Sequence, residues 1–162
     1  MTIKVGDILF VDTNILLTAT DDTRQQHQDA QTILGLASRY GVHLAVSGQI
    51  LREYLVVATR PSKVNGLGLS PNDALKNIGA FRRILSFYDE SESVLNTLVQ
   101  LVKKHDLSGK RIHDANVVAT MLTHGIEKVV TENPKDFKKF AVIEMVSLKD
   151  AARFIESQQS QE

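Results

Sequence analysis

The sequence predicts one α/β domain built on a parallel sheet of about five strands flanked by helices. Three observations lead to this prediction. The chain has 162 residues and 43% hydrophobic content, which is enough for one domain to bury a sizeable core but short for two. Short apolar runs alternate with segments of helical periodicity. Glycines and helix-capping residues separate these segments, and such an order is typical of a parallel sheet covered on both faces.

The first half of the chain contains two strand–helix units. Ile8–Val11 is a short apolar run bounded by polar residues, which indicates a buried strand. The helical pattern after it, from about Thr13 to Tyr40, is interrupted by a polar break and ends at a glycine. Val42–Val46 is a second apolar run, and the apolar residues after it recur at helical spacing until shortly before Pro61.

The second half continues the alternation after a surface loop at Pro61–Pro71. Three serines along the chain are good helix N-caps, because a hydroxyl can accept a hydrogen bond from a free backbone N–H group: Ser47, Ser70 and Ser147. The remaining strands are predicted at Ile84–Tyr88, Lys128–Thr131 and Val142–Met145. The remaining helices are predicted from Ser70 to about Arg83, at 91–106, at Asp114–His124 after a loop at Lys110–His113, and from Ser147 to about Phe154. A polar tail is predicted at 157–162, which leaves 1–156 as the domain.

The composition excludes several classes of site. The chain has no cysteine, so a disulfide, a thiolate zinc site and a cysteine nucleophile are all impossible, and a metal would need oxygen or imidazole ligands. The formal net charge is zero, with 19 basic and 19 acidic side chains, so no overall field attracts the protein to nucleic acid. The sequence contains no segment that resembles a secretory signal peptide and no apolar run long enough to cross a membrane. We therefore expect a cytoplasmic protein with no membrane partner.

Carboxylates follow the predicted strands. Asp12 comes directly after the first strand, Glu53 lies about two turns into the helix after the second, and Asp136 follows the fourth. Right-handed crossovers bring the carboxyl ends of parallel strands to one edge, so we expect these side chains to lie close together. Asp114 can join them if the loop at Lys110–His113 folds over that edge. Four oxygen donors from four segments predict a site for a hard cation, Mg²⁺ or Mn²⁺.

Each of these acids also has a purely structural interpretation. Asp12 could cap the helix that follows it, and Asp114 could complement a helix dipole. Glu53 could be a solvated helix charge, and Asp136 could be a turn residue. The metal-site prediction depends on all four lying at corresponding places in one topology. His113 lies beside Asp114, but a lone histidine is more often structural, so we leave it out of the catalytic set.

Four segments together resemble the PIN-domain ribonucleases, particularly the toxin halves of VapBC-type toxin–antitoxin pairs. These segments are FVDTNILL, SGQILREYLVVATRP, HDANVVATM and VVTENPKDF, in that order along the chain. The resemblance implies a three-layer PIN-like fold and a Mg²⁺- or Mn²⁺-dependent endonuclease that cleaves single-stranded RNA. It places the acidic ligands on Asp12, Glu53, Asp114 and Asp136. It also makes Asn14 and Thr131 the polar residues that accompany them.

Two residues are candidates for the fourth acid of the site, Asp136 and Glu132. The family pattern is least regular at this position, and Glu132 lies close to Asp136 in the sequence. We prefer Asp136 because it stands five residues after Thr131 and immediately before Phe137. As a hypothesis, Asp12 and Asp114 are the principal metal ligands. Glu53 and Asp136 then bind a second ion or orient the attacking water.

Basic residues near the acids are candidates for phosphate contacts. Lys110 and Arg111 lie within a turn of Asp114, and Arg52 and Arg60 lie on or after the helix that carries Glu53. They could bind phosphates that flank the scissile one in a single-stranded or structured RNA. The alternative is an ordinary solvated surface. That alternative is our interpretation of the remaining basic pairs: 82–83, 103–104 and 138–139.

Partner binding is indicated less directly. The helix Asp73–Arg83 has an apolar stripe that could form part of a groove for an antitoxin helix or a homodimer surface, although such a stripe is more often core. The resemblance implies both a homodimer and a separate antitoxin protein. A different class of function is a non-catalytic RNA-binding or regulatory domain of the same fold. The intact acids argue against it.

Overall fold

The computed structural model describes residues 3–160, and within this range five strands form one sheet. The sheet order is β3-β2-β1-β4-β5, and every neighbouring pair is parallel. This confirms the predicted five-stranded parallel sheet. The strands are β1 (Ile8–Val11), β2 (His43–Ser47), β3 (Ser86–Tyr88), β4 (Lys128–Val130) and β5 (Glu144–Val146).

Eight α-helices flank the sheet within the same range. They are α1 (Thr13–Thr20), α2 (His27–Leu36), α3 (Gly48–Thr59), α4 (Pro71–Ile84), α5 (Glu92–His105), α6 (Arg111–Thr123), α7 (Pro134–Phe137) and α8 (Leu148–Gln159). Short 3₁₀ turns lie at Ser38–Tyr40 and Ser62–Val64. No helix between residues 3 and 160 is long and apolar enough to cross a membrane.

Strand β1 is covered on both faces. Leu9, Phe10 and Val11 are each at most 1% exposed. Successive side chains of a strand point to opposite faces, so both faces of the sheet are packed against helices. This is the predicted three-layer arrangement.

The sheet order reverses at β1, and the crevice at this point is where the site develops. From β1 the chain goes to β2 and β3 on one side and to β4 and β5 on the other. Val11 pairs in register with Val130, and the Asp12 N–H donates to the Val130 carbonyl at 3.1 Å. Asp12 and Thr131 therefore leave the sheet side by side, at the topological switch point where open α/β sheets bind ligands.

The predicted loop at Lys110–His113 is wrong, because α6 already begins at Arg111. The N–H groups of Ile112 and His113 donate to the Gly109 and Lys110 carbonyls, so the helical turn forms directly after the glycine. Asp114 consequently lies in the first turn of α6, where a carboxylate also suits the helix dipole. It needs no loop to fold over the edge.

Two further boundaries differ from the expectation. The polar tail was predicted to begin at Ser157, but α8 continues to Gln159 because nothing in its sequence breaks the helix; residues 161 and 162 lie outside the described range. The four-residue helix α7 was not predicted, because one turn is too short to show periodicity. The remaining strand ends shift by one or two residues, which is normal for such boundaries.

Two of the three predicted serine caps form. The backbone N–H of Asp73 donates to Ser70 Oγ at 3.1 Å, and that of Asp150 donates to Ser147 Oγ at 3.0 Å. Ser47 occupies the cap position of α3, but its hydroxyl is buried and has no partner among the described residues. Glu90 replaces it, since its Oε2 accepts the Gln49 N–H at 2.8 Å.

Candidate active site

Asp12 is held by three hydrogen bonds at the junction of β1 and α1. The Thr13 N–H donates to Oδ1 at 2.7 Å, so the helix-cap interpretation is correct. Thr131 Oγ1 and Asn14 Nδ2 donate to Oδ2 at 2.7 and 2.9 Å. A carboxylate has about four lone-pair positions, and these bonds use both positions on Oδ2 and one on Oδ1. Oδ1 therefore keeps one lone pair for a ligand.

Glu53 reaches the same place from α3. Thr13 Oγ1 donates to its Oε2 at 2.9 Å, and Gln49 Nε2 donates to its Oε1 at 2.8 Å. His113 Nδ1 lies 3.9 Å from Oε1. Both oxygens are thus fixed by neutral donors, one of which belongs to the residue directly after Asp12.

A buried amide network supports Glu53, and the sequence interpretation missed it. Gln49 is 2% exposed. Its Nε2 also donates to the His113 carbonyl at 2.9 Å, and its Oε1 accepts from Asn116 Nδ2 at 2.7 Å. Asn116 also donates to Glu90 Oε1 at 2.6 Å. Two signals could have revealed this network: Gln49 precedes Glu53 by four residues on one helix, and Glu90 follows β3 as Asp12 follows β1.

The four predicted acids share one electrostatic environment. Burial raises the pKa of Asp114 to about 6, and the charges of Asp136, Asp12 and Glu53 add to this effect while His113 opposes it. Burial also raises the pKa of Asp12, together with Glu53 and Asp136, against its hydrogen bonds from Thr131 and Thr13. Residues from β1, α3, α6 and α7 are thus brought together as a cluster of like charges. Like charges that lie close together raise one another's carboxyl pKa values in this way.

Glu132 faces a different partner. Thr18 Oγ1 donates to its Oε2 at 2.6 Å, and Arg24 Nη1 donates to the same hydroxyl at 3.1 Å. The Glu132 N–H donates to Asn14 Oδ1 at 3.2 Å. Its carboxylate is therefore engaged on the side of α1, whereas Asp136 is the acid whose charge acts on both Asp12 and Asp114.

The donor chemistry of the cluster fits a hard divalent cation. Between residues 3 and 160, no three acidic or histidine side chains lie close enough together to hold a metal ion as they stand. The chemistry nevertheless agrees with Mg²⁺ or Mn²⁺, because the donors are carboxylate oxygens and the cluster carries excess negative charge. Asn14 and Thr131 fix the Asp12 carboxylate by hydrogen bonds to Oδ2.

The predicted phosphate-binding residues differ in whether they lie beside the acid cluster. Arg111 lines a cavity together with Asp114 and Asp136. Arg52 and Lys110 are exposed on α3 and just before α6. Only Arg111 is thus placed beside the acids by a shared cavity.

Comparison with protein families gives one match. The sequence profile of the family described as PIN domain matches residues 9–143, a range that includes all four acids. No curated protein matches the chain.

Three solved structures share the fold of this chain. A structure of VapBC2 from Rickettsia felis bound to a promoter DNA fragment has a TM-score of 0.62 and 16% identity, covering 86% of this chain and 98% of that one. VapBC-1 from nontypeable Haemophilus influenzae has a TM-score of 0.62 and 16% identity, with 88% and 98% coverage. VapC20 from Mycobacterium tuberculosis, described as a toxin that cleaves the sarcin-ricin loop, has a TM-score of 0.56 and 16% identity, with 76% and 87% coverage.

Proposed function

The chain belongs to the PIN domain family, and on this basis we propose that it is a metal-dependent endoribonuclease that hydrolyses phosphodiester bonds of single-stranded RNA. The observation that carries the proposal is the cluster of Asp12, Glu53, Asp114 and Asp136 at the switch point of the sheet, where Asp114 has a pKa of about 6. Perturbed carboxylates in a cleft are typical of a catalytic site.

Each acid has a proposed role. Asp12 and Asp114 are the principal ligands of Mg²⁺ or Mn²⁺, and Glu53 and Asp136 bind a second ion or orient the attacking water. When bound, the cation supplies the positive charge that brings a phosphate to these acids and activates water for attack. Thr131 and Asn14 fix the Asp12 carboxylate by hydrogen bonds. Both side chains thereby determine which lone pair remains for the ligand.

Glu53 is positioned by two neutral side chains. Its two oxygens accept from Thr13 and Gln49, and Gln49 is itself fixed by Asn116. Neutral donors leave the negative charge of Glu53 in place, so it can attract a cation or accept a proton from water. A lysine or arginine in the place of Gln49 would neutralise that charge.

The proposed substrate is single-stranded or structured RNA, and the proposed biological role is that of a toxin acting in the cytoplasm. The similarity to VapC20, a toxin that cleaves the sarcin-ricin loop, supports an RNA substrate. The VapBC complexes support an antitoxin partner, and we also propose a homodimer. On the stripe of α4, Ala74 and Phe81 are core residues while Leu75 is 55% exposed, so only part of that stripe is available to a partner.

A cleavage assay tests the proposed activity. Labelled single-stranded RNA is incubated with the protein in Mg²⁺ or Mn²⁺, and in EDTA. We expect internal cuts with either metal and none in EDTA. The Asp12→Asn variant provides the control for a contaminating nuclease, because it should lose the cuts while its fold remains intact.

The second candidate is a non-catalytic RNA-binding or regulatory domain. The same assay separates the two functions when RNA binding is measured in parallel. Retained binding without any cleavage in Mg²⁺ or Mn²⁺ would favour the binding domain and overturn the nuclease. A growth assay then examines the toxin role: producing the wild-type chain should arrest growth, and producing Asp12→Asn should not.

A further inference from the structure

A cavity of about 190 Å³ opens beside the acid cluster, between α6 and α7. Its wall carries two of the clustered acids, Asp114 and Asp136, and three basic residues, Arg111, Lys135 and Lys139. The volume is several times that of one water in the liquid, about 30 Å³. The cavity can therefore hold a group larger than a single solvent molecule.

The floor of the cavity is apolar and rigidly packed. Leu107 and Phe140 form it and are 6% and 3% exposed. The Phe140 ring meets the His105 ring edge-on, with centroids 5.3 Å apart. Phe137, 2% exposed, anchors α7 beneath. Lys135 and Lys139 thus project from a segment that also carries two buried aromatic residues, Phe137 and Phe140.

Two of three neighbouring lysines line the cavity. Lys135 lies in α7, and Lys139 lies two residues after the end of that helix. Both side chains line the cavity. Lys138 directly follows α7 and does not line the cavity, although all three lysines are exposed.

None of the three basic residues is neutralised by a carboxylate. Throughout residues 3–160, Arg111, Lys135 and Lys139 form no ion pair, whereas Arg24 pairs with Asp21 and Lys76 pairs with Asp73. The three cations share a concavity with two acids but are not bonded to them. Their N–H groups are consequently free to bind an anion next to the acid cluster.

We infer that Arg111, Lys135 and Lys139 form a binding pocket for an internal phosphate of the RNA strand, adjacent to the phosphate that is cleaved. The inference rests on the proposed function for the identity of the ligand as RNA. Arginine and lysine are the usual partners of phosphate oxygens. The pocket extends the expected role of Arg111 to Lys135 on α7 and Lys139 just after it. It also revises the interpretation of Lys139 as part of a solvated pair.

Adjacent lysines provide a matched test. Lys139→Ala and Lys138→Ala remove the same charge from neighbouring positions, but only the first changes the pocket. Binding is measured by fluorescence anisotropy with a labelled oligouridine that lacks terminal phosphates, in EDTA, and with Asp12→Asn present in every variant to prevent cleavage. A third variant, Lys135→Ala, removes the second lysine, and Lys139→Arg retains the charge.

The expected result is a difference between the two neighbours. Lys139→Ala and Lys135→Ala should weaken binding about threefold to tenfold, and each should lower the slope of log affinity against log salt by about 0.7, the value for one lost contact to a single strand. Lys138→Ala should change the affinity less than about twofold, and Lys139→Arg should restore most of it. Equal effects of Lys138→Ala and Lys139→Ala, or no binding in the Asp12→Asn background, would overturn the pocket.

Failure of the proposed pocket can be distinguished from failure of the proposed nuclease function. Cleavage is measured on the chain with Asp12 intact. Cleavage together with equal binding by Lys138→Ala and Lys139→Ala would remove the pocket and leave the function. Weaker binding by Lys139→Ala alone, without any cleavage by the wild type, would support the pocket and remove the nuclease.

Discussion

Two aspartates at opposite ends of β1 have opposite environments. Asp7 precedes the strand and Asp12 follows it, so they are separated by roughly 16 Å at about 3.3 Å per residue. Asp7 accepts a hydrogen bond from Lys128 Nζ and another from the Lys4 N–H at 2.8 Å. Asp12 accepts only from neutral groups and lies near three other acids.

The pKa values reflect this difference. Burial alone would raise the pKa of Asp7, but the hydrogen bonds and charges of Lys128 and Lys4 outweigh burial and lower it. At Asp12, burial and the neighbouring acids outweigh the hydrogen bonds and raise the pKa. Negative charge is compensated at the amino end of the strand and left uncompensated at the carboxyl end. Such an imbalance lowers stability and is typical of a functional site.

Replacing each aspartate should separate activity from stability. Asp12→Asn should reduce RNA cleavage about a hundredfold or more if Asp12 has its proposed role, because a ligand of a catalytic metal supports several kcal/mol of the rate enhancement. Asp7→Asn should leave the specific activity of the folded protein within about twofold. Initial cleavage rates in Mn²⁺ measure both variants, and an equal loss in the two would remove the distinction.

Replacing Thr131, which lies beside Asp12 at the carboxyl end of the sheet, should have a smaller effect than replacing Asp12 itself. Thr131→Val preserves the shape of the side chain but removes the hydroxyl that donates to Asp12 Oδ2 at 2.7 Å. Loss of such an outer-shell bond typically weakens metal affinity or activity about tenfold to a hundredfold. Calorimetric titration with Mn²⁺ measures the affinity, and Thr131→Ser, which keeps the hydroxyl, is the control. Equal affinities of Thr131→Val and wild type would show that the bond does not position the ligand.

Asp7→Asn should affect stability instead. The side chain of Lys128 is 11% exposed, so Asp7→Asn removes a carboxylate charge from beside a poorly solvated cation. We expect a loss of about 1–2 kcal/mol in the free energy of unfolding, which corresponds to a decrease of roughly 2–8 °C in Tm for a chain of this size. Urea unfolding measures the loss. Asp22→Asn, at an exposed position, should change the stability by less than about 0.5 kcal/mol.

Asp114→Asn should raise the free energy of unfolding, whereas Asp7→Asn should lower it. It is the smallest of the predicted effects. Its folded-state pKa of about 6 exceeds the ordinary value of 3.8, so the folded state binds the proton more tightly and stability decreases as pH rises between these values. Without metal, Asp114→Asn should therefore be more stable than wild type at pH 7.5, by about 1 kcal/mol after allowance for solvent screening. The difference should vanish below about pH 4. A less stable Asp114→Asn at pH 7.5 would contradict the repulsion.

The sheet and the acids could be predicted because their signals are local. Ile8–Val11 is apolar without interruption, and Asp12 follows it directly. The topology of parallel strands then brings Glu53 and Asp136 to the same edge without any knowledge of side-chain contacts. The start of α6 was misplaced because an aspartate is favourable both as a cap and in the first turn.

The supporting network could not be predicted in the same way. Gln49 and Asn116 lie 67 residues apart and meet only after α3 and α6 pack. Glu90 caps α3 in the place of Ser47 for the same reason, since its donor belongs to another strand–helix unit. The pocket residues Lys135 and Lys139 can be distinguished from Lys138 only by the cavity that they line, and this cavity forms when the segment around α7 packs beside α6.

The most direct test of the account is to locate bound Mn²⁺ by nuclear magnetic resonance. Mn²⁺ is added in substoichiometric amounts to nitrogen-15-labelled protein, and its paramagnetism broadens the signals of nearby amides. We predict the strongest broadening at Asp12, Asp114 and Thr131, weaker broadening at the Asp7 amide at the other end of β1, and no selective broadening in Asp12→Asn. Broadening centred on Asp7 and Lys128, or an unchanged pattern in Asp12→Asn, would contradict the claim that the carboxyl end of β1 holds the metal.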